Sequence, residues 1–409
     1  MMKSNKTRVI LPGDKPLWVV FFFLVFISLM SVYTSVGLTA VDVLHKAPVR
    51  EFMKHCIFVF ATLVGTIFCS RFNLLRRPKL TVWAAYALTL VLLCMVLTTE
   101  EKRWLSFTVG GPTFQPSELA KITMVLCVAY VATKGKKLSK TNPKARIITF
   151  FVSDILILIP VLLVWPGNLS MALLLGVIGL MVLCYSRLND KAWFIQFLII
   201  MVGAVALFLF IYYVGDKIQV GRFQTWNSRL HHYVGPTNYN ELTQDNIARM
   251  AVARGGFWGA GIGNTIHARL MTQAQNDFIF SIIIEESGMI AAIVIFVLYM
   301  LFFFRCMLIA TRSTNSFNGL CVAGLATAFF GQAVMNMCVA VGAGPVTGQT
   351  LPFISYGGTA YIVYGLGFLI IQMVAHKDNE QYRKAKLAEE QLQLQQVQEC
   401  EQSNETVEQ

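Results

Sequence analysis

The stretch Phe278–Phe304, FIFSIIIEESGMIAAIVIFVLYMLFFF, is apolar enough to cross a bilayer, yet it holds Glu285 and Glu286 and follows directly on Asp277. A helix of about 20 apolar residues spans the hydrocarbon layer, and carboxylates at membrane depth are costly enough to mark function or a dedicated partner. Comparable runs recur near 17–37, 52–70, 80–98, 116–133, 147–165, 169–187, 192–214, 317–341 and 359–376. With 56% hydrophobic and 14% charged residues over 409 positions, the chain has no resemblance to a soluble globular domain. The expected fold class is all-α: a polytopic membrane protein with about ten transmembrane helices in residues 1–376. The Glu- and Gln-rich tail at 377–409 reads as a disordered cytoplasmic segment, with at most a short helix through Leu387, Leu392 and Val397.

Lysine and arginine set the orientation. Lys3, Lys6, Arg8 and Lys15 precede the first span; Arg71, Arg76, Arg77 and Lys79 follow the second; Lys134, Lys136, Lys137, Lys140, Lys144 and Arg146 follow the fourth. Arg187 and Lys191 follow the sixth, and Arg305 and Arg312 the eighth. All these loops fall on one side, which the positive-inside rule makes cytoplasmic, with both termini inside. The net charge of +12 records this topology and an attraction to anionic lipid, so no nucleic-acid partner is expected. The first span follows a charged leader but lacks a small-residue cleavage site, and it is read as a retained anchor. The cysteines in and beside the spans lack paired spacing and read as packing residues.

The connection between spans seven and eight, about 215–276, is far longer than a helix connector needs and lies on the outer side. It carries Phe223, Trp226, Trp258, Arg222, Arg249 and Arg254, together with the tract Gly255-Gly256-Phe257-Trp258-Gly259-Ala260-Gly261-Ile262-Gly263. That content predicts a folded re-entrant or interfacial element. The glycines do not follow a strand, which argues against a nucleotide loop. Close backbone approach to a lipid-linked sugar or to another helix is their natural use.

Two more places combine polar groups with membrane depth. Gln115-Pro116-Ser117-Glu118-Leu119-Ala120-Lys121 opens the fourth span, with Glu118 in the first helical turn and Lys121 three residues on, placed to pair. Pro345 to Gly358, PVTGQTLPFISYGG, is a stiff outer segment of a kind tolerated at the membrane only where it lines protein or a wet cavity. Spacing alone leaves Asp277 as either a helix N-cap or an acid–base group. Glu285 and Glu286 lie within the span; one is expected to face a cavity and the other a neighbouring helix, in an order the sequence leaves open. No metal-ligand cluster is visible, and His231, His232 and His267 read as loop residues.

Gln115-Pro116-Ser117-Glu118-x-x-Lys121, Arg222-x-x-x-Trp226, the glycine tract, Asp277-Phe278-Ile279-Phe280 with Glu285-Glu286-x-Gly288, and Pro345-Val346-Thr347-Gly348-x-x-Leu351-Pro352-Phe353-x-Ser355-Tyr356-Gly357-Gly358 together resemble one family. That family is SEDS (shape, elongation, division and sporulation), the group containing FtsW and RodA. The motifs occur in order, over nearly all ten spans. The resemblance implies a peptidoglycan glycosyltransferase of the bacterial inner membrane that polymerises lipid II at the outer face. It also implies a class B penicillin-binding protein and other divisome proteins as partners. The family's essential aspartate falls on Asp277, its fourth-span pair on Glu118 and Lys121, and its loop arginine on Arg222; Glu285, Glu286 and Ser355 are further candidates for holding lipid II and undecaprenyl-linked glycan.

The chemistry agrees with that assignment. A sugar 4-hydroxyl needs a base as it attacks the anomeric carbon, which suits Asp277, and a departing pyrophosphate needs cations, which Lys121, Arg222 or a divalent ion would supply. No organic cofactor is expected; Mg2+ or Mn2+ would be held mainly by the pyrophosphate. The chain departs from the family where many members have Pro-Asp-x-Gly-Thr and it has Pro166-Gly167-Asn168-Leu169-Ser170, and again at Gly342-Ala343-Gly344-Pro345. The terminal extension favours a division-type over an elongation-type member. A lipid flippase using Asp154 in span five, and a non-catalytic scaffold, stay open as alternatives.

Overall fold

The helices begin where the sequence supplies starts. Pro78, Pro116 and Pro143 each occupy a first helical turn, where the missing N–H costs nothing. The side chains of Asn142, Asn168 and Asn315 cap the helices that follow them. The computed structural model describes residues 11–42, 48–72, 75, 77–99, 103–106, 113–214, 243–271, 274–344 and 346–407. Its helices are α1 (Lys15–Asp42), α2 (Pro48–Cys69), α3 (Pro78–Leu97), α4 (Pro116–Leu138), α5 (Pro143–Val164), α6 (Leu169–Ser186), α7 (Asp190–Val214), α8 (Gln244–Gly255), α9 (Ile279–Arg312), α10 (Ser316–Ala340) and α11 (Gly358–Val407). Among the described residues, ten of these are long and apolar enough to cross a membrane, all but α8. The chain is a multi-pass membrane protein, with spans within a few residues of those the sequence predicts.

One expectation fails in the tail. Residues after 376 continue α11 as one helix to Val407 instead of forming a disordered segment. No Gly or Pro follows Gly367, and the tail is built largely of the strong helix formers Ala, Leu, Lys, Glu and Gln, so nothing in it stops a helix already nucleated by the last span.

The interior is formed by α4, α10 and α11. α4 packs on α3, α5, α6 and α10, while α2 lies along α11 and α1 crosses α9. The apolar window of α4 is 78% buried against 6% for α7, which among the described residues packs chiefly on α6 and presents its surface outward. This contrast explains why α4 tolerates polar residues: it is solvated by protein, whereas the face of α7 must match lipid. A two-stranded hairpin, β1 (Leu105–Ser106) with β2 (Thr113–Phe114), pairs antiparallel between α3 and α4. It meets the start of α11 through the Thr359 hydroxyl, which donates to Thr113 O at 2.7 Å.

α9 is two helices in line, broken at Gly288, whose φ of 75° a side-chain-bearing residue would adopt only with strain. The break removes intrahelical donors from two carbonyls, and the glycine tract replaces them: Ala260 N–H bonds Glu285 O at 2.8 Å and Gly261 N–H bonds Glu286 O at 3.0 Å. In return Met289 N–H reaches Gly256 O at 3.0 Å. A Cβ on Gly288 would lie 2.3 Å from Phe257 O. The glycine tract packs against another helix, one of the two uses the sequence allowed it. The half-helix before the break is buried from Ile279 to Glu286.

The segment 346–357 is non-helical and sunk into the bundle. Phe353, in the left-handed region at φ 64°, packs its ring among Phe21, Phe302, Phe329, Tyr364 and Phe368. Backbone carbonyls at this depth need donors. Tyr299 supplies one to Pro352 O, and the Ser28 hydroxyl another to Ile354 O at 2.8 Å.

Candidate active site

Asp277 is half-buried at the entrance to the α9 half-helix. The N-cap position falls on Phe278, so Asp277 is not the cap that spacing alone allowed. Two other segments close on it. Arg103, ahead of β1, donates through Nη2 to Gly348 O. Gly348 has φ 63°, and a Cβ there would stand 2.9 Å from Arg103 Nη1 and 3.4 Å from Asp277 Oδ2. Only a residue without a side chain leaves the carboxylate and the guanidinium this close together across the loop. Arg103 has no place in the motifs that flag the site; the adjoining Arg103-Trp104 before a short strand was its only signal.

The loop that carries Gly348 is held from below by α10. Asn336 Nδ2 donates to Asp277 O at 2.8 Å and to Gln349 O at 2.6 Å. One turn earlier, Gln332 Nε2 donates to Thr350 O at 2.9 Å and contacts the Tyr364 hydroxyl at 2.8 Å. Gln332 Oε1 in turn accepts from Lys121, whose ammonium is 2.5 Å from Glu118 and 5.5 Å from the Tyr364 ring centroid. Glu118 and Lys121 are 2% and 4% exposed, so their charges are satisfied inside the protein. The network runs from α4 through the α10 amides to the backbone of Asp277. Gln332 and Asn336, at i and i+4 in an apolar span, are the functional residues that motif reading passed over.

The two glutamates of α9 have separate partners. Glu285 is fully buried and receives Arg254 at 2.6 Å, Ile266 N–H at 3.1 Å, His267 Nδ1 at 2.8 Å and the Thr265 hydroxyl. Glu286 accepts from the Thr34 hydroxyl at 3.1 Å and from Gly263 N–H at 3.2 Å. Glu286 thus bonds a neighbouring helix, α1, as expected of one of the pair; Glu285 holds the cation of Arg254, but enclosed by α8 and the outer loop. Ser355 is 3% exposed and its Oγ accepts from Leu351 N–H at 2.7 Å, a bond that shapes its own loop. Arg222 lies outside the described residues. Among the described residues no three His, Cys, Asp or Glu side chains converge as a ligand set.

Residues 14–380 match the model of the cell cycle proteins FtsW, RodA and SpoVE. The chain belongs to this FtsW/RodA/SpoVE family. It is similar to the probable peptidoglycan glycosyltransferase FtsW of Buchnera aphidicola, at 31% identity over 78% of this chain and 89% of that one. It is likewise similar to that of Haemophilus ducreyi, at 26% over 89% and 90%. The Mycobacterium tuberculosis FtsW is 28% identical, and there the chain spans 64% of the relative's length. Two solved structures share the fold. One comes from a peptidoglycan synthase complex described as coordinating polymerization and crosslinking, with TM-score 0.69 and 22% identity over 90% of this chain and 98% of that one. The other is the Thermus thermophilus rod shape determining protein RodA, with TM-score 0.62 and 21% identity over 90% and 97%.

Within the FtsW/RodA/SpoVE family frame, the Asn168 departure acquires a local role. Its side chain accepts from Met171 N–H at 3.1 Å as the α6 N-cap, and its Nδ2 is 3.5 Å from Thr347 O, on the Gly348 loop. Asp154, the carboxylate a carrier would use, bonds Gln196 of α7 at 2.9 Å on the outward-facing side of the bundle.

Proposed function

We propose that this chain is a peptidoglycan glycosyltransferase of the division type, which extends glycan strands from lipid II at the outer face of the bacterial inner membrane. The observation that carries this reading is a half-buried Asp277 beside Arg103 across Gly348, just ahead of the broken helix α9, in a member of this family. Asp277 takes the proton of the acceptor GlcNAc 4-hydroxyl as that oxygen bonds the anomeric carbon of MurNAc. The bond to undecaprenyl pyrophosphate breaks in the same step, and the leaving group carries away the negative charge. Arg103, with Arg222 from the outer loop, supplies the cations this charge needs. Lys121, already neutralised by Glu118, holds the Gly348 loop through Gln332 instead. A Mg2+ or Mn2+ ion would enter with the pyrophosphate and add positive charge there, since among the described residues no converging ligand set offers it a site of its own.

The clusters at Lys134–Arg146, Arg187 and Arg305–Arg312 lie at the ends of α4, α6 and α9 remote from Asp277, which by the positive-inside rule supports an orientation with Asp277 outside and both termini in the cytoplasm. A class B penicillin-binding protein is the partner, working with other divisome proteins; the fold shared with a chain of a peptidoglycan synthase complex supports it. The test is polymerisation of lipid II by the purified protein with its transpeptidase and a divalent cation. Glycan product is expected, together with unaltered polymerisation by Asp154→Asn. No product, with proton-gradient-dependent lipid II translocation in proteoliposomes, would replace this reading with a flippase.

A further inference from the structure

At the end of the bundle remote from Asp277, α4, α6, α9 and α10 enclose a cavity of about 450 Å3. Its walls combine three kinds of group. Lys136 and Arg187 line it and are exposed to the surroundings; Ser313 and Ser316 bring hydroxyls; Met307 and Leu320 bring apolar surface. None of the described residues lining it is acidic. The cations are placed by backbone. Lys136 Nζ donates to Ser186 O at 3.2 Å, and Arg187 is the C-cap of α6 at φ 47°, a left-handed position that glycine fills most easily. An arginine there carries a conformational cost, and what it adds is a guanidinium at the cavity wall.

We propose that this cavity binds the phosphate of an anionic membrane phospholipid. Arg187 and Lys136 take the phosphate oxygens, the serine hydroxyls the remaining headgroup oxygens, and the apolar wall the first methylenes of the acyl chains. Free phosphate shares the first of these contacts but makes no use of Met307 and Leu320, and it does not need a cavity between membrane-spanning helices. Complementing the C-terminal dipole of α6 accounts for the two cations but not for the serine hydroxyls and the apolar wall beside them.

The full-length protein in detergent, titrated with phosphatidylglycerol and separately with phosphatidylcholine and followed by native mass spectrometry, tests this. Wild type should retain phosphatidylglycerol preferentially. Arg187→Gly and Lys136→Gln should each weaken that retention about fivefold. Lys140→Gln, which removes an equal charge beyond the end of α4, should not. Arg187→Gly suits the left-handed C-cap, so its melting temperature should hold and its loss of lipid cannot be ascribed to misfolding. Equal retention by wild type and both cavity variants would overturn the proposal, and so would an equal loss in Lys140→Gln. If inorganic phosphate alone raised the melting temperature of wild type but not of Arg187→Gly, with no preference among lipids, the cavity would be a free-anion site and the lipid assignment would fall.

Discussion

Asp277 stands in the turn just ahead of α9 and Glu285 inside its first half, and their surroundings are opposites. Glu285 is fully buried, with Arg254, Thr265, Ile266 and His267 all directed at its carboxylate. Asp277 is half-buried, and the residue opposite it is a glycine. A fully buried carboxylate held by four donors stabilises the fold; one that is half-buried at the start of a helix is within reach of a substrate. The same distinction separates Lys121, neutralised at 2.5 Å by Glu118, from Arg103, which bonds a backbone carbonyl and carries its charge toward the Asp277 site. Residue type and membrane depth do not tell these roles apart, because the difference lies in the partners.

The sharpest test of the contrast pairs two variants. Asp277→Asn keeps size and hydrogen bonding but removes basicity, and it should cost about 10²- to 10⁴-fold in lipid II polymerisation with an unchanged melting temperature. Glu285→Ala should do the reverse in kind: it strands Arg254 and His267 and costs about 3 kcal/mol of stability, seen as a lowered melting temperature in detergent. If Asp277→Asn melts early, or Glu285→Ala is stable but inactive, the two assignments exchange places.

Gly288→Ala comes next. Its Cβ would meet Phe257 O at 2.3 Å in a left-handed conformation, so a loss of about 1–3 kcal/mol is expected, with the glycine tract becoming sensitive to proteolysis. A melting temperature equal to wild type would mean that the tract does not depend on the break in α9.

The buried pair calls for a double-mutant cycle. Lys121→Met alone leaves Glu118 buried without its cation and should lower both stability and activity, whereas adding Glu118→Gln should recover about 0.5–3 kcal/mol of coupling and part of the polymerisation. Activity that stays absent in a double variant that melts normally would move the Lys121 cation from loop support to the leaving group.

The smallest effect is expected at Asn168. Asn168→Asp keeps the α6 cap but gives up the long contact to Thr347 O, so stability should change by less than about 1 kcal/mol. Any change in polymerisation would tie this position to the Gly348 loop.

The sequence by itself determined that the chain is a multi-pass membrane protein with about ten spans, where those spans lie, and which charged residues sit at membrane depth, Asp277, Glu285 and Glu286, and Glu118 with Lys121. Those conclusions rest on local properties, namely apolar run length, charge between runs and short motifs, which survive without knowledge of neighbours. The helical tail beyond His376 was legible in principle from its helix formers and its lack of Gly and Pro. Composition pointed to disorder because it does not register that a preceding span has already nucleated the helix. Tertiary structure alone decided the roles. It brought Arg103, Gly348 and Asp277 together from three segments, set Gln332 and Asn336 under the loop, and enclosed Glu285 while leaving Asp277 half-buried. Each of these depends on contacts between residues far apart in the chain, and the role of a charged side chain is fixed by what packs against it.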